Sequence, residues 1–216
     1  KEGFIPFVQT FGPFLCVRAL DQIHNDVCYN DFPVRLIGTH AGLSSGYGPT
    51  HNTIVEFGIM NALPNMTMVA PCDANQAKKL LRKSLDYKGP IYIRIPRGEE
   101  PAVYMEDYDY DYEIGKAIEL SAGKDLTIIA TGMAVYNSVQ AARKLEELGL
   151  DVGVLDMHTI KPIDKEAIIK AAKATGNILT VEDHNILGGL GSIVADVLME
   201  AGVPARLKKL GVPDCF

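Results

Sequence analysis

Basic charge is in short supply in this sequence. Its 216 residues carry 21 Lys and Arg against 27 Asp and Glu, a formal net charge of −6 with a pI near 5.4. No basic stripe runs along it, so neither nucleic acid nor an anionic membrane surface is an expected partner. Long apolar runs are missing too. None reaches the ~20 residues a membrane span needs, and no signal pattern opens the chain, so a cytoplasmic protein is expected. Cysteine is sparse: Cys16, Cys28, Cys72 and Cys215 form no CxxC and no Cys/His ligand spacing. Reduced thiols therefore fit better than a disulfide framework, and no metal site is expected. Low-complexity tracts and clear internal repeats are absent. What remains is a chain with 47% hydrophobic and 22% charged residues, which belongs among folded globular proteins.

Short apolar runs alternate with helical patterns throughout. FIPFVQ reads as a strand. Residues 13–30 follow as a helix, with Phe14, Val17, Leu20, Ile23 and Val27 near helical spacing and Pro13 in its first turn. Strand VRLIG, a glycine-rich loop, a short helix after Asn52 and strand MTMVA come next. A helix from about Asp73, its N-cap, to Asp86 leads to strand PIYIRI. A second alternation starts near Gly115: strand LTIIAT, a helix stopped by Gly149, strand DVGVLDM, a helix from Asp164, strand NILTVED, a helix after LGGLGS, and strand ARLKKL. The expected fold is α/β, two doubly wound domains built on mostly parallel sheets. The boundaries are 1–98, an acidic linker over 99–115, and 116–216. The stretch RGEEPAVYMEDYDYDYEIG carries seven acidic residues and no base after Arg97, and it is expected to be solvated.

The loop GTHAGLSSGYGPTHN, Gly38 to Asn52, places two histidines eleven residues apart among small residues. It follows a strand, so it lies at the carboxyl rim of a parallel sheet, where ligands bind. His40 stands at the strand end and His51 where the next helix is expected to begin. Two imidazoles beside a helix N-terminus suit a phosphorylated or oxygen-rich substrate, and imidazole moves protons near neutral pH. In QTFGPF, Phe11 ends a strand and Phe14 opens a helix on the same rim. Their rings either stack on a flat heterocycle or pack in the core. Arg97 follows strand PIYIRI, where its guanidinium can fork onto phosphate or meet a rim carboxylate. LGGLGS misses the dinucleotide spacing and reads as a tight turn into a helix. His158 is isolated, and His184 is expected at a surface or interface of the second domain.

FVQTFGPFLCVRALDQI, GTHAGLSSGYGPTH, LPNMTMVAPCDANQ and GPIYIRIPRG, in that order, resemble the pyrimidine-binding domain of the thiamine-diphosphate-dependent transketolase family. DLTIIATGMAV, LDMHTIKPID and TVEDHNILGGLGS are similar to the family's C-terminal domain. The resemblance covers nearly the whole chain. It implies a two-carbon ketol transfer between sugar phosphates. It assigns Phe14 and Phe11 to the cofactor's aminopyrimidine ring, and His51 and His40 to catalysis and substrate contact. Arg97 matches an arginine on the substrate phosphate.

The resemblance also has departures. Tyr47 stands where relatives place an acidic residue before Gly-Pro-Thr-His, which makes it the candidate for acceptor choice: it donates a hydrogen bond but brings no negative charge. The loop is one residue shorter. Val55-Glu56 takes the place of an acidic pair, and Asn61-Ala62 that of an arginine before LPN. The family's catalytic glutamate belongs upstream of this chain, and no Gly-Asp-Gly metal and diphosphate motif occurs in it. An N-terminal subunit that holds Mg²⁺ and the diphosphate is therefore implied as partner, in a homodimer or heterotetramer. The neighbouring readings are a 1-deoxyxylulose-5-phosphate synthase, which usually carries arginine in place of His40, and the 2-oxo acid dehydrogenase beta subunit. A non-catalytic assembly module of the same fold is the alternative from a different class.

Overall fold

The computed structural model describes residues 2–44, 46–98, 100–106 and 110–216. Ser45 of the glycine loop, and Glu99 and residues 107–109 of the expected linker, lie outside the described residues.

Two five-stranded sheets make up the fold. The first contains β1 (Phe7–Phe11), β2 (Arg35–Thr39), β3 (Thr67–Val69), β4 (Ile91–Arg94) and β8 (Thr159–Lys161), in the order β1-β2-β4-β3-β8. The second contains β5 (Ile118–Ser121), β6 (Leu126–Ala130), β7 (Val152–Asp156), β9 (Asn177–Asn185) and β10 (Arg206–Val212), in the order β10-β9-β6-β7-β5. All pairings are parallel except β3–β8 and β5–β7. Burial on both faces explains the continuous apolar strands: every residue of β3, β4 and β7 is buried.

The helices are α2 (Glu56–Asn61), α3 (Ala74–Ser84), α4 (Ala134–Glu147), α5 (Lys165–Thr175) and α6 (Leu190–Glu200). Asp73 caps α3 by accepting the Gln76 N–H, and Asp164 caps α5 by accepting that of Ala167. Gly149 follows α4 with φ +84°, as its role of helix stop requires.

Three expectations need correction. The helix expected over 13–30 is wider than an α-helix: two π-type stretches, Phe14–Arg18 and Ile23–Cys28, flank a single α-turn, α1 (Leu20–Gln22). Ala19 N–H reaches Phe14 O and Tyr29 N–H reaches His24 O, both i→i−5. Strands β5 and β8 were not expected. β5 alternates exposed and half-buried residues at a sheet edge, and β8 has only three residues. β8 nonetheless adds a second-half strand to the first sheet. Finally, the acidic stretch is not a solvated linker where it is described. Tyr104 and Tyr112 are buried while Glu106, Asp111 and Glu113 face out. Asp73 accepts the N–H groups of Val103 and Tyr104, and Tyr104 donates its hydroxyl to Asp156 at 2.7 Å. Tyrosine rings supply the apolar area that ties the segment down, and its carboxylates keep their water.

A core cluster runs through both halves, with Phe57, Met60 and Met68 packed in the same group as Leu155, Ile160, Leu190 and Val194.

Candidate active site

Parallel register brings three strand ends to one rim. Phe11 pairs with Thr39, and Gly38 with Arg94. Phe11 is therefore the last residue of β1, His40 the first beyond β2, and Arg97 three beyond β4. Gly38 is required at this rim because a Cβ there would strike the Tyr92 hydroxyl. His40 itself holds φ +58°, a left-handed conformation that is uncommon outside glycine and concentrates at functional sites.

Phe11 is the hub. Its ring centroid lies 4.2 Å from His40, 5.6 Å from Phe14, 5.6 Å from His51 and 6.0 Å from Tyr47. His51 also meets Phe14 edge-on at 5.4 Å. Tyr47 closes the ring, 5.7 Å from His40 and 6.1 Å from His51, and the Arg97 guanidinium carbon lies 5.9 Å from the Tyr47 ring. All six residues singled out in the sequence thus come together. Phe11, Phe14, His40 and His51 are half-buried, and Tyr47 and Arg97 are exposed. The sequence did not point to Arg18, whose guanidinium carbon sits 4.2 Å over the Phe14 ring.

The histidine rings are oriented by their neighbours. His40 Nδ1 lies 3.1 Å from Thr39 Oγ1, and His51 Nδ1 lies 2.8 Å from Thr50 Oγ1. In both, Nε2 remains as the nitrogen for a ligand. His51 is not at a helix start, because α2 begins five residues later. It sits in a turn in which Gly48 O accepts the N–H groups of His51 and Asn52 at 3.0 Å. The Phe57 N–H at the start of α2 is instead taken by His184 Nε2 at 3.0 Å.

A buried charged layer underlies the loop. Arg94 Nε donates to Glu56 Oε1 at 2.5 Å, and Thr53 Oγ1 donates to Glu56 Oε2 at 2.9 Å. Burial works against the Arg94 charge, but Glu56 and Asp183 outweigh it and keep the guanidinium protonated. An arginine inside an apolar central strand demands such a partner, and that was the sequence signal for this pair. His184 is fully buried at the contact between the halves, not at a surface. Its Nδ1 lies 2.8 Å from Asn185 O and donates there, which leaves Nε2 bare to accept from Phe57. Burial, opposed by Glu56, lowers its pKa and keeps it neutral.

LGGLGS forms the tight turn into α6. The Leu190 and Gly191 N–H groups bond to the Glu182 carboxylate at 2.7 and 2.9 Å, so the chain's own carboxylate fills this helix end. Among the described residues, no group of three His, Cys, Asp or Glu is placed to hold a metal. No helix among them is long and apolar enough to cross a membrane.

Residues 1–101 match the family model "Transketolase, pyrimidine binding domain", and residues 115–216 match "Transketolase, C-terminal domain". The chain is 44% identical over 206 residues to one of the subunits of the apulose-4-phosphate transketolase of Phocaeicola vulgatus, covering 94% of this chain and 65% of that protein's length. It is 41% identical over 215 residues to a putative transketolase C-terminal section of Methanocaldococcus jannaschii, covering 99% of this chain and 67% of the relative. A solved split-gene transketolase, described as an inactive beta4 tetramer, superposes with a TM-score of 0.92 at 40% identity, covering 99% of this chain and 69% of that one.

Proposed function

The chain belongs to the transketolase family, and we propose that it is the C-terminal subunit of a split enzyme that moves a two-carbon ketol unit between sugar phosphates. The observation that carries this reading is the cluster of Phe14, His40, Tyr47 and His51 around Phe11, with Arg97 at its edge. Residues 1–98 act as the pyrimidine-binding domain and 116–216 as the C-terminal domain, joined by 99–115.

The residues fit one end of thiamine diphosphate. The half-buried rings of Phe11 and Phe14, 5.6 Å apart and tilted by 38°, offer an apolar flank to an aminopyrimidine. The metal and the diphosphate are assigned to an N-terminal partner subunit, as the family resemblance implies. Two relatives support this division: the apulose-4-phosphate enzyme, whose matching chain is one of its subunits, and the split-gene protein that is an inactive tetramer of beta chains. The assembly proposed is a homodimer or a heterotetramer with the N-terminal subunit.

When bound, thiamine diphosphate supplies the carbon nucleophile that carries the two-carbon unit. This chain's residues bind, orient and move protons. His51, held by Thr50 and the two phenylalanine rings, takes and returns a proton at Nε2 on a substrate hydroxyl. His40, fixed by its backbone and Thr39, holds a substrate oxygen. Arg97 grips the phosphate at the exposed edge, and Tyr47 gives a hydrogen bond to the acceptor.

Product analysis tests the reading. With partner, thiamine diphosphate and Mg²⁺, a ketose phosphate and an aldose should exchange two carbons. Formation of 1-deoxyxylulose 5-phosphate from pyruvate and glyceraldehyde 3-phosphate, without ketol exchange, contradicts it.

A further inference from the structure

The chain around the two histidines is held from the second half of the chain by three successive residues. The Asp183 carboxylate accepts the Leu43 N–H, with both oxygens 3.2 Å from the nitrogen. His184 accepts the Phe57 N–H, and Asn185 N–H donates to Ile54 O at 2.8 Å. Leu43 lies three residues beyond His40, and Ile54 three beyond His51. Both arms of the loop are therefore pinned to one strand end. Gly42 allows the approach: its φ is +73°, and a Cβ there would fall on the Asp183 carboxylate. Across the loop, Gly42 N–H donates to Thr53 O at 2.7 Å, so a shift at Leu43 is passed to the arm that carries His51.

We propose that Asp183 is a positioning residue for the two histidines: its carboxylate, clamped on Leu43, sets the distance between His40 and His51. Its main-chain carbonyl separately takes Arg94 Nη2 at 2.5 Å, so truncating the side chain leaves that hydrogen bond in place, with Glu56 still paired to the guanidinium as its main counter-charge. The role in catalysis rests on the reading of His40 and His51 given above, while the clamp itself does not.

The test is Asp183→Ala in the enzyme assembled with its N-terminal partner, with Asp183→Asn as the conservative variant. The clamp predicts a fall in kcat of at least about tenfold, because misplacing a catalytic group by about 1 Å costs on the order of 10²-fold. KM for the ketose phosphate should rise by a smaller factor than kcat falls, because the Arg97 guanidinium makes no bond to the clamp while His40 does depend on it, and Asp183→Asn, which keeps an acceptor for Leu43, should recover most of the loss. In parallel, ring nitrogen resonances of His40 and His51 are compared in the full chain with and without the Asp183 carboxylate. Resonances that move with kcat support the clamp. A kcat within about twofold of wild type overturns the catalytic role whatever the rings do. Should the wild type transfer no ketol unit, the reaction assigned to the family site fails. The ring signals then decide the clamp alone: moved rings support it and unmoved rings overturn it.

Discussion

His40 and His51 reach the same Phe11 ring from unlike backbones, one in a left-handed residue at a strand end and the other in a loop turn. That difference supports separate roles, and two substitutions separate them from the phosphate grip. Replacing His51 with Ala should lower kcat/KM at least about tenfold, since a positioned acid–base group commonly contributes about 10²-fold or more, and an unchanged value would remove it from the mechanism. Arg97 is assigned to the phosphate under the proposed function. Arg97→Ala should raise KM about tenfold or more for phosphorylated sugars and leave their unphosphorylated counterparts unaffected. Equal loss with both would contradict the assignment. These six candidate residues could be singled out in sequence because each stands at a strand end, in the loop that follows, or at the start of the next helical stretch. Asp183 and His184 were not. Nothing in TVEDHN says that a buried imidazole will accept an N–H from a residue 127 positions away.

At the scale of elements, the central parallel strands could be read because burial on both faces leaves an uninterrupted apolar run. β5 and β8 escaped because both are short, lie at sheet edges and lack the uninterrupted apolar run of the buried central strands. The acidic stretch misled for a related reason. Its charges were visible, but the surfaces that bury its rings come from far off in the chain: Tyr104 packs with residues of β6, β7 and α4, and Tyr112 with residues of β3, α3 and β4 and on the His158 ring. β4 and α2 are joined by the Arg94–Glu56 pair, in which both side chains are almost fully excluded from water. Removing one partner strands the other charge. Glu56→Ala should therefore destabilise the fold by about 3–5 kcal/mol in urea unfolding. A loss below about 1 kcal/mol would show that the pair contributes little.

For the whole molecule, the contact between halves has its own pH dependence. Asp156 is buried beside α3 and the tyrosine segment, with Oδ2 accepting Gln76 Nε2 at 2.6 Å and the Tyr104 hydroxyl at 2.7 Å. Burial is the main cause that raises its pKa from 3.8 to about 7, against the lowering effect of those hydrogen bonds. The folded carboxyl keeps its proton where the unfolded one has lost it. Its contribution is complete below about pH 4 and is lost as pH rises through about 7. His158 works in the opposite direction: burial lowers its pKa to about 4, so its contribution is present above 6.5 and is lost as pH falls toward 4. Asp156→Asn should remove only the first effect. Between pH 5.5 and 8 its unfolding free energy should fall by about 2 kcal/mol less than that of the wild type. Parallel pH profiles for the two proteins would place the alkaline loss elsewhere.

The division of labour between subunits is the central claim, and reconstitution tests it most directly. Ketol transfer from a ketose phosphate to an aldose is measured with this chain alone, with its N-terminal partner alone, and with both, and thiamine diphosphate and Mg²⁺ are omitted in turn. Transfer is expected only when both chains and both cofactors are present. Transfer by this chain alone, or none from the complete mixture, would contradict it.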